Sequence, residues 1–202
     1  MSFLLASRRR IGSALVASAC ALVFLPLSPI TMAAGPASAP HVALKTSAGE
    51  IILELNPTLA PKTVDNFLQY IKSGQYDGTV FHRVIDGFMI QGGGMDKDLR
   101  EKPTRPPIRN EASNGLKNEA YTVAMARTGD PDSATAQFFI NVGDNAALDY
   151  PKPDGAGYAV FGKVVKGKEV VDQIRKAATG SKGPYQDVPL KPITITTARL
   201  LP

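Results

Sequence analysis

Beyond residue 40 the chain is cut into short apolar segments by turn-forming residues, and that rhythm confines it to a β-rich architecture. Residues 41–46 and 50–55 read as two strands separated by Ser47-Ala48-Gly49, a hairpin signal. Further strand-like segments fall at 79–85, 88–91, 121–126, 137–142 and 158–165. A strand rich in Ile and Thr, 192–201, closes the chain. Two helices interrupt this series. The first opens at Pro61, a residue suited to a first helical turn, carries Val64, Phe67, Leu68 and Ile71 at helical spacing, and stops at Gly74. The second, 169–177, places Val170, Val171 and Ile174 on one face. Long polar connections (92–117, 128–136 and 144–157) hold much of the Gly and Pro. Many short strands with two inserted helices predict a mostly β domain over 41–202, either a closed antiparallel barrel or a sandwich.

Residues 1–33 follow a different logic. Arg8-Arg9-Arg10 precede a largely apolar run, 11–27, and Thr31-Met32-Ala33 supplies a small-residue cleavage signal. The run is shorter than the roughly 20 residues a spanning helix needs. Pro26 breaks it near its end and no cationic flank follows, so a stable membrane anchor is not expected. A cleaved secretory signal peptide over 1–33 and a short leader over 34–40 are expected instead. The paired arginines leave two export routes open, a twin-arginine signal and an ordinary basic n-region. Cys20 lies inside the apolar run, which disfavours lipid attachment there.

Cleavage changes the composition that matters. The full chain carries a formal charge of +5 and one Cys. Removing 1–33 takes three Arg, no acid and Cys20, leaving 20 basic against 18 acidic residues, a formal +2. A thiol-free, nearly neutral chain suits an oxidising compartment. It also lacks the basic excess that nucleic-acid binding requires, so no nucleic-acid partner is expected. One Cys and two well-separated histidines, His41 and His82, exclude a disulfide framework and any CxxC site. No metal and no cofactor are expected.

The densest stretch runs from Phe81 to Gly94. Strand alternation would put Phe81, Arg83 and Ile85 on one side and His82 and Val84 on the other, with Met89 and Gln91 sharing a face after an Asp86-Gly87 turn. A plain hairpin with an exposed Arg and a backbone-satisfied His fits the same letters. The Gly92-Gly93-Gly94 triplet lacks the ending of a phosphate-binding loop. No nucleophile elbow is present, and Asp130, Asp132, Asp144 and Asp149 lack calcium-loop spacing and suit solvated turns. Further on, Gln137 and Phe139 share a strand face.

Taken together, these stretches resemble the cyclophilins, the peptidyl-prolyl cis/trans isomerases. The matching pieces are Phe81-His82-Arg83-Val84-Ile85, Gly87-Phe88-Met89-Ile90-Gln91-Gly92-Gly93, Met125-Ala126-Arg127, Gln137-Phe138-Phe139-Ile140, Leu148-Asp149 and Val160-Phe161-Gly162-Lys163-Val164, in the family's order. The resemblance spans 41–201. Met125-Ala126-Arg127-Thr128, Ala134-Thr135-Ala136-Gln137 and the signal peptide are most similar to the periplasmic bacterial branch.

The resemblance implies a closed eight-stranded antiparallel barrel capped by two α-helices, with a groove on its outer surface. It implies a periplasmic, monomeric isomerase acting on proline-containing polypeptides of exported proteins. Arg83 would be the essential group. Phe88, Met89, Phe139 and Leu148 would form the proline pocket; Gln91, Gln137 and the Ala126-Arg127 backbone would hold the substrate chain; His82 would be structural. Ala147 stands where many eukaryotic members carry Trp, implying weak cyclosporin binding. Tyr158 occupies a groove position that is often His, and it keeps a hydrogen-bond donor.

These residue types suit the reaction. Rotating a peptide bond faces a barrier of about 18–20 kcal/mol because resonance must be broken. In the twisted state the prolyl nitrogen regains its lone pair, and a fixed guanidinium can donate to it better than in the planar ground state. Arginine stays charged and offers several donors, which lysine does not match.

Overall fold

The computed structural model describes residues 39–202. The expected signal peptide and most of the leader lie outside the described residues. Ten strands and two α-helices follow in the order β1 (His41–Thr46), β2 (Gly49–Leu55), α1 (Pro61–Lys72), β3 (Phe81–Ile85), β4 (Met89–Gly92), β5 (Thr122–Met125), β6 (Phe138–Asn141), β7 (Val160–Lys166), α2 (Lys168–Arg175), β8 (Thr179–Lys182), β9 (Tyr185–Pro189) and β10 (Ile195–Leu200). Short 3₁₀ turns sit at Ala112–Asn114 and Ala146–Leu148. Every strand and helix expected from the apolar pattern is present. The β8–β9 hairpin was not foreseen, because 179–189 is polar and Gly/Pro-broken and offers no clean alternation.

Eight strands form one antiparallel sheet in the order β10-β1-β2-β7-β5-β6-β4-β3. Strand number and pairing agree with the barrel expectation, but the sheet is a curled half-barrel that stays open. Its edge strands β3 and β10 share no ladder. They approach through one isolated bridge, Val80 to Thr194, and main-chain bonds from Gly78 N to Ile195 O, Ile195 N to Thr79 O and Phe81 N to Ile193 O. Pro192 has no N–H with which to extend that seam, and β3 departs from regular pairing just past Phe81.

The concave face collects the main core. Phe67 of α1 packs its ring 5.1 Å from those of Tyr76 and Phe161 and edge-on to Phe138 at 5.6 Å. Phe138 also meets Tyr76 and Phe81 edge-on, the arrangement that aromatic quadrupoles favour. Val170, Val171 and Ile174 of α2 join the same core. Each such fully buried large side chain contributes about 1.5–3 kcal/mol. The glycine triplet serves this packing: a Cβ on Gly93, whose φ is +88°, would lie 2.9 Å from the Phe138 and Tyr76 rings, and one on Gly94 would collide with the Gln137 side chain.

Two local features depart from what the chain suggests. Ala60, ahead of α1, offers no capping side chain; Glu111 from a distant loop accepts hydrogen bonds from Lys62 N (3.1 Å), Thr63 N (2.8 Å) and Thr63 Oγ1 (2.7 Å) instead. In β3, Phe81 pairs with Gly92 but Arg83 already pairs with Gln91, so one extra residue is accommodated as a bulge. The simple alternation expected for this strand therefore fails. Phe81 and Val84 join the main core, while Arg83 and Ile85 emerge on the opposite face. His82 is buried, and its Nδ1 has no hydrogen-bond partner among the described residues.

Two measurements follow. Glu111→Ala is expected to lower stability in urea unfolding by about 1–2 kcal/mol, because it strips the helix N-terminus of its acceptor; an unchanged midpoint would contradict the cap. Burial pushes His82 down from 6.5 to about 4, opposed in part by the nearby Val80 main chain and aided by the Arg83 charge. Between those values the unfolded chain binds a proton that the folded chain does not, so stability falls as pH drops through that window. The loss is of order 3 kcal/mol. His82→Asn should flatten the slope over the same pH range.

Candidate active site

Register partners across an antiparallel ladder share a face, and here they line up chemistry scattered through the chain. Arg83 pairs with Gln91, Gln91 with Phe139, Phe139 with Ala124 and Ala124 with Val160, a single row across β3, β4, β6, β5 and β7. A second row runs from Ile85 to Met89 to Asn141. Both rows lie on the convex side, away from the aromatic core.

The floor of this face is apolar. Met89, Ala124, Phe139 and Val160 are buried, and Ile85, Phe88, Leu116, Ala126, Leu148 and Tyr158 pack around them half-buried. The Tyr158 ring stands edge-on to Phe139 at 5.8 Å. Beside the floor lies a polar groove of about 130 Å³ bordered by Gln91, Ala126, Arg127, Thr128, Ser133, Thr135 and Gln137. Gln91 Nε2 donates to Gln137 Oε1 at 2.9 Å, and Ala126 N donates to the Gln137 carbonyl at 3.0 Å. The structure thus brings together Arg83, Phe88, Met89, Gln91, Ala126, Arg127, Gln137, Phe139, Leu148 and Tyr158, every residue singled out for the groove.

Arg127 takes part in a particular way. Its side chain is 3% exposed and its donors are occupied: Nε by Gly157 O (3.0 Å), Nη1 by Thr128 O (3.0 Å) and Nη2 by both Asp154 carboxylate oxygens (2.8 Å each). Its guanidinium carbon also lies 4.4 Å from the Tyr158 ring centre, within cation–π range. The Arg127 hydrogen bonds hold the Asp154 carboxyl below its ordinary value. Arg127 is a strut that ties the 154–158 loop to the groove, so any contact it makes with a ligand falls to its backbone.

Arg83 is the contrasting arginine. Its side chain is 44% exposed, and its one charged neighbour among the described residues is Asp187, 4.0 Å from Nε. A donor-rich cation therefore stands at the edge of an apolar floor, opposite a paired amide. That combination can hold an apolar ring, steady a peptide backbone and donate to a weakly basic nitrogen.

A layer of amides supports the pocket and escaped the sequence reading. Asn145 Nδ2 donates to Phe88 O (2.8 Å) and Asn141 Oδ1 (2.6 Å). Asn141 Nδ2 donates to Asn118 Oδ1 (3.2 Å) and Thr122 Oγ1 (2.9 Å), and Asn118 N donates to Asp149 Oδ1 (2.8 Å). These bonds tie the turn that carries Leu148 to the sheet. Asn141 could have been noticed, since it lies two residues past Phe139 and so on the same strand face. Ala124 and Val160 carried no local signal, because only the strand order puts them under the pocket. Asp149 and Asp144, read as solvated turn residues, accept from Asn118 N and Ala120 N respectively.

Comparison with known proteins agrees with this geometry. Residues 41–200 match the family model "Cyclophilin type peptidyl-prolyl cis-trans isomerase/CLD". A peptidyl-prolyl cis-trans isomerase of Streptomyces antibioticus is 61% identical over 162 residues, covering 79% of this chain and 98% of that protein. Peptidyl-prolyl cis-trans isomerase A of Dickeya dadantii is 53% identical over 183 residues, covering 91% of this chain and 96% of the relative. Among solved structures, a cyclophilin type peptidyl-prolyl cis-trans isomerase of Cryptosporidium parvum superposes with a TM-score of 0.67 at 27% identity, covering 81% of this chain and 98% of its own. The same protein, crystallised in the presence of the dipeptide Ala-Pro, gives 0.65. An antiparallel sheet that presents arginine, paired amides and an apolar floor on its convex face, together with relatives of this identity, makes the chain a member of the cyclophilin-type peptidyl-prolyl cis-trans isomerases.

Proposed function

We propose that the enzyme turns X-Pro bonds in exported polypeptides, in the periplasm, after removal of residues 1–33. The observation that carries the catalytic part is the row Arg83–Gln91–Phe139, which sets a half-exposed guanidinium beside a buried aromatic floor. The cofactor-free chemistry is electrostatic. An uncatalysed barrier near 20 kcal/mol gives a rate of order 10⁻² per second, and lowering it by about 7 kcal/mol brings roughly 10³ per second.

In this reading the proline ring rests on Met89 and Phe139, with Phe88, Leu148 and Tyr158 as walls. The Gln91–Gln137 amides hold the preceding peptide unit. The Ala126 N–H is already donated to Gln137, which leaves the Arg127 N–H and the carbonyls of the 126–127 segment to meet the substrate. The Arg83 guanidinium then donates to the prolyl nitrogen as its lone pair forms, a bond stronger in the twisted state than in either planar one. The Ala-Pro dipeptide used with the Cryptosporidium relative fits a substrate of this kind. Ala147, in the 3₁₀ turn beside Leu148, leaves one wall thin, and weak cyclosporin binding follows from it. The near-neutral mature chain fits polypeptide rather than nucleic-acid partners.

In a proline-isomerisation assay Arg83→Ala is expected to lower kcat/KM by about 10²-fold or more, the scale of a lost transition-state donor, with Arg83→Lys recovering little. Activity within threefold of the parent would overturn the assignment. N-terminal sequencing of protein recovered from the periplasmic fraction is expected to begin just after Ala33; an intact Met1 retained in the cytoplasm would overturn the export reading.

A further inference from the structure

We infer that Asp187 is a positioning residue that holds the guanidinium of Arg83 ready for the reaction, an inference that rests on the catalytic role proposed above for Arg83. Asp187 belongs to β9, which pairs with β8 alone and lies outside the eight-stranded sheet, alongside β3. This hairpin is seated by its own apolar cluster, in which Val188 and Tyr185 pack with Val80, Met95 and Leu99. A rigid seat matters, because a group that orients another must itself be held.

Three observations converge on the pair. Asp187 Oδ2 lies 4.0 Å from Arg83 Nε. That approach is to the inner nitrogen, and among the described residues Nη1 and Nη2 have no hydrogen-bond partner, so the two terminal amino groups remain uncommitted. Asp187 also adopts a left-handed backbone, φ +59°, inside a strand. Side chains other than Asn and Asp enter that region reluctantly. The residue between exposed Gln186 and buried Val188 is thus turned out of the strand's alternation, with its carboxylate against Arg83.

The physical role is to restrict a flexible side chain. A half-exposed arginine samples many rotamers, and every one that misses the prolyl nitrogen lowers the populated fraction of the reactive arrangement. An ion pair at Nε narrows that set without occupying the donors the reaction needs. Because the two side chains are 44% and 43% exposed, the pair is screened and its effect is modest. A change of about three- to fivefold in rate is the scale to expect of an exposed pair.

Asp187→Asn is the informative variant, since Asn tolerates the left-handed backbone and keeps the size while removing the charge. With an uncharged X-Pro peptide at low ionic strength, its kcat/KM is expected to fall about three- to fivefold through kcat, with KM nearly unchanged. Raising the salt should bring the parent enzyme down toward the variant, whose own rate moves little. In ¹⁵N spectra the Arg83 Nε–Hε resonance should shift and exchange faster in Asp187→Asn. A parent-like rate at low salt, a deficit that salt does not narrow, or an unaltered Arg83 resonance would each overturn the inference. Arg83→Ala run in parallel separates the two claims: if it stays active, the catalytic reading of Arg83 fails first. If Arg83→Ala is inactive while Asp187→Asn matches the parent, only the positioning role fails.

Discussion

One extra residue in β3, set against Gly92 and Gln91 of β4, reverses the facing of everything after Phe81. Without that bulge, Arg83 would share a face with Phe81 and point into the aromatic core, where an unpaired guanidinium is not tolerable. With it, Phe81 stays among Phe138 and Tyr76 while Arg83 rises beside Gln91 on the convex side. The cost falls on His82, which is buried with one ring nitrogen unpartnered and is held neutral well below its ordinary titration range. The site depends on this exchange, since no other feature of β3 would deliver a cation to the row that runs through Phe139.

The two faces of the sheet divide the labour. The concave face is packed for stability by Phe67, Phe138 and Phe161 and by glycines that admit close approach at Gly93 and Gly94. The convex face carries a shallow apolar floor whose walls come from turns and loops. Those walls would be loose if left to themselves. The Asn118–Asn141–Asn145 amides and the Arg127–Asp154 strut tie them to strands β5 and β6, so that reactive geometry rests on a rigid scaffold. Two arginines serve opposite ends: Arg127 has its donors consumed by structure, and Arg83 keeps its terminal donors open.

Much of this was legible in the chain. The strands of the main sheet and both helices stand out because apolar period is a local property, and the groove residues stand out because their short motifs occur in a set order. What escaped was long-range. The helix cap comes from Glu111, some fifty residues past the helix start. The amide layer joins asparagines on three separate segments. The β8–β9 hairpin has no apolar alternation, since it packs one small cluster of its own and otherwise faces solvent.

By itself, the sequence determined the segments, the turns between them, the absence of a thiol beyond Cys20 and the identities of the groove side chains. The first three follow from nearest-neighbour chemistry (side-chain period, glycine and proline backbone limits, and charge), whereas the groove side chains are named by the resemblance of their motifs to the cyclophilins. Only the tertiary structure decided that Arg83 leaves the core side, that Ala124 and Val160 floor the pocket, that the seam between β3 and β10 stays open, and that Asp187 reaches Arg83. Each of these depends on which strands lie side by side and in what register. Those pairings are settled by the packing of the whole core, and no local stretch of chain encodes them.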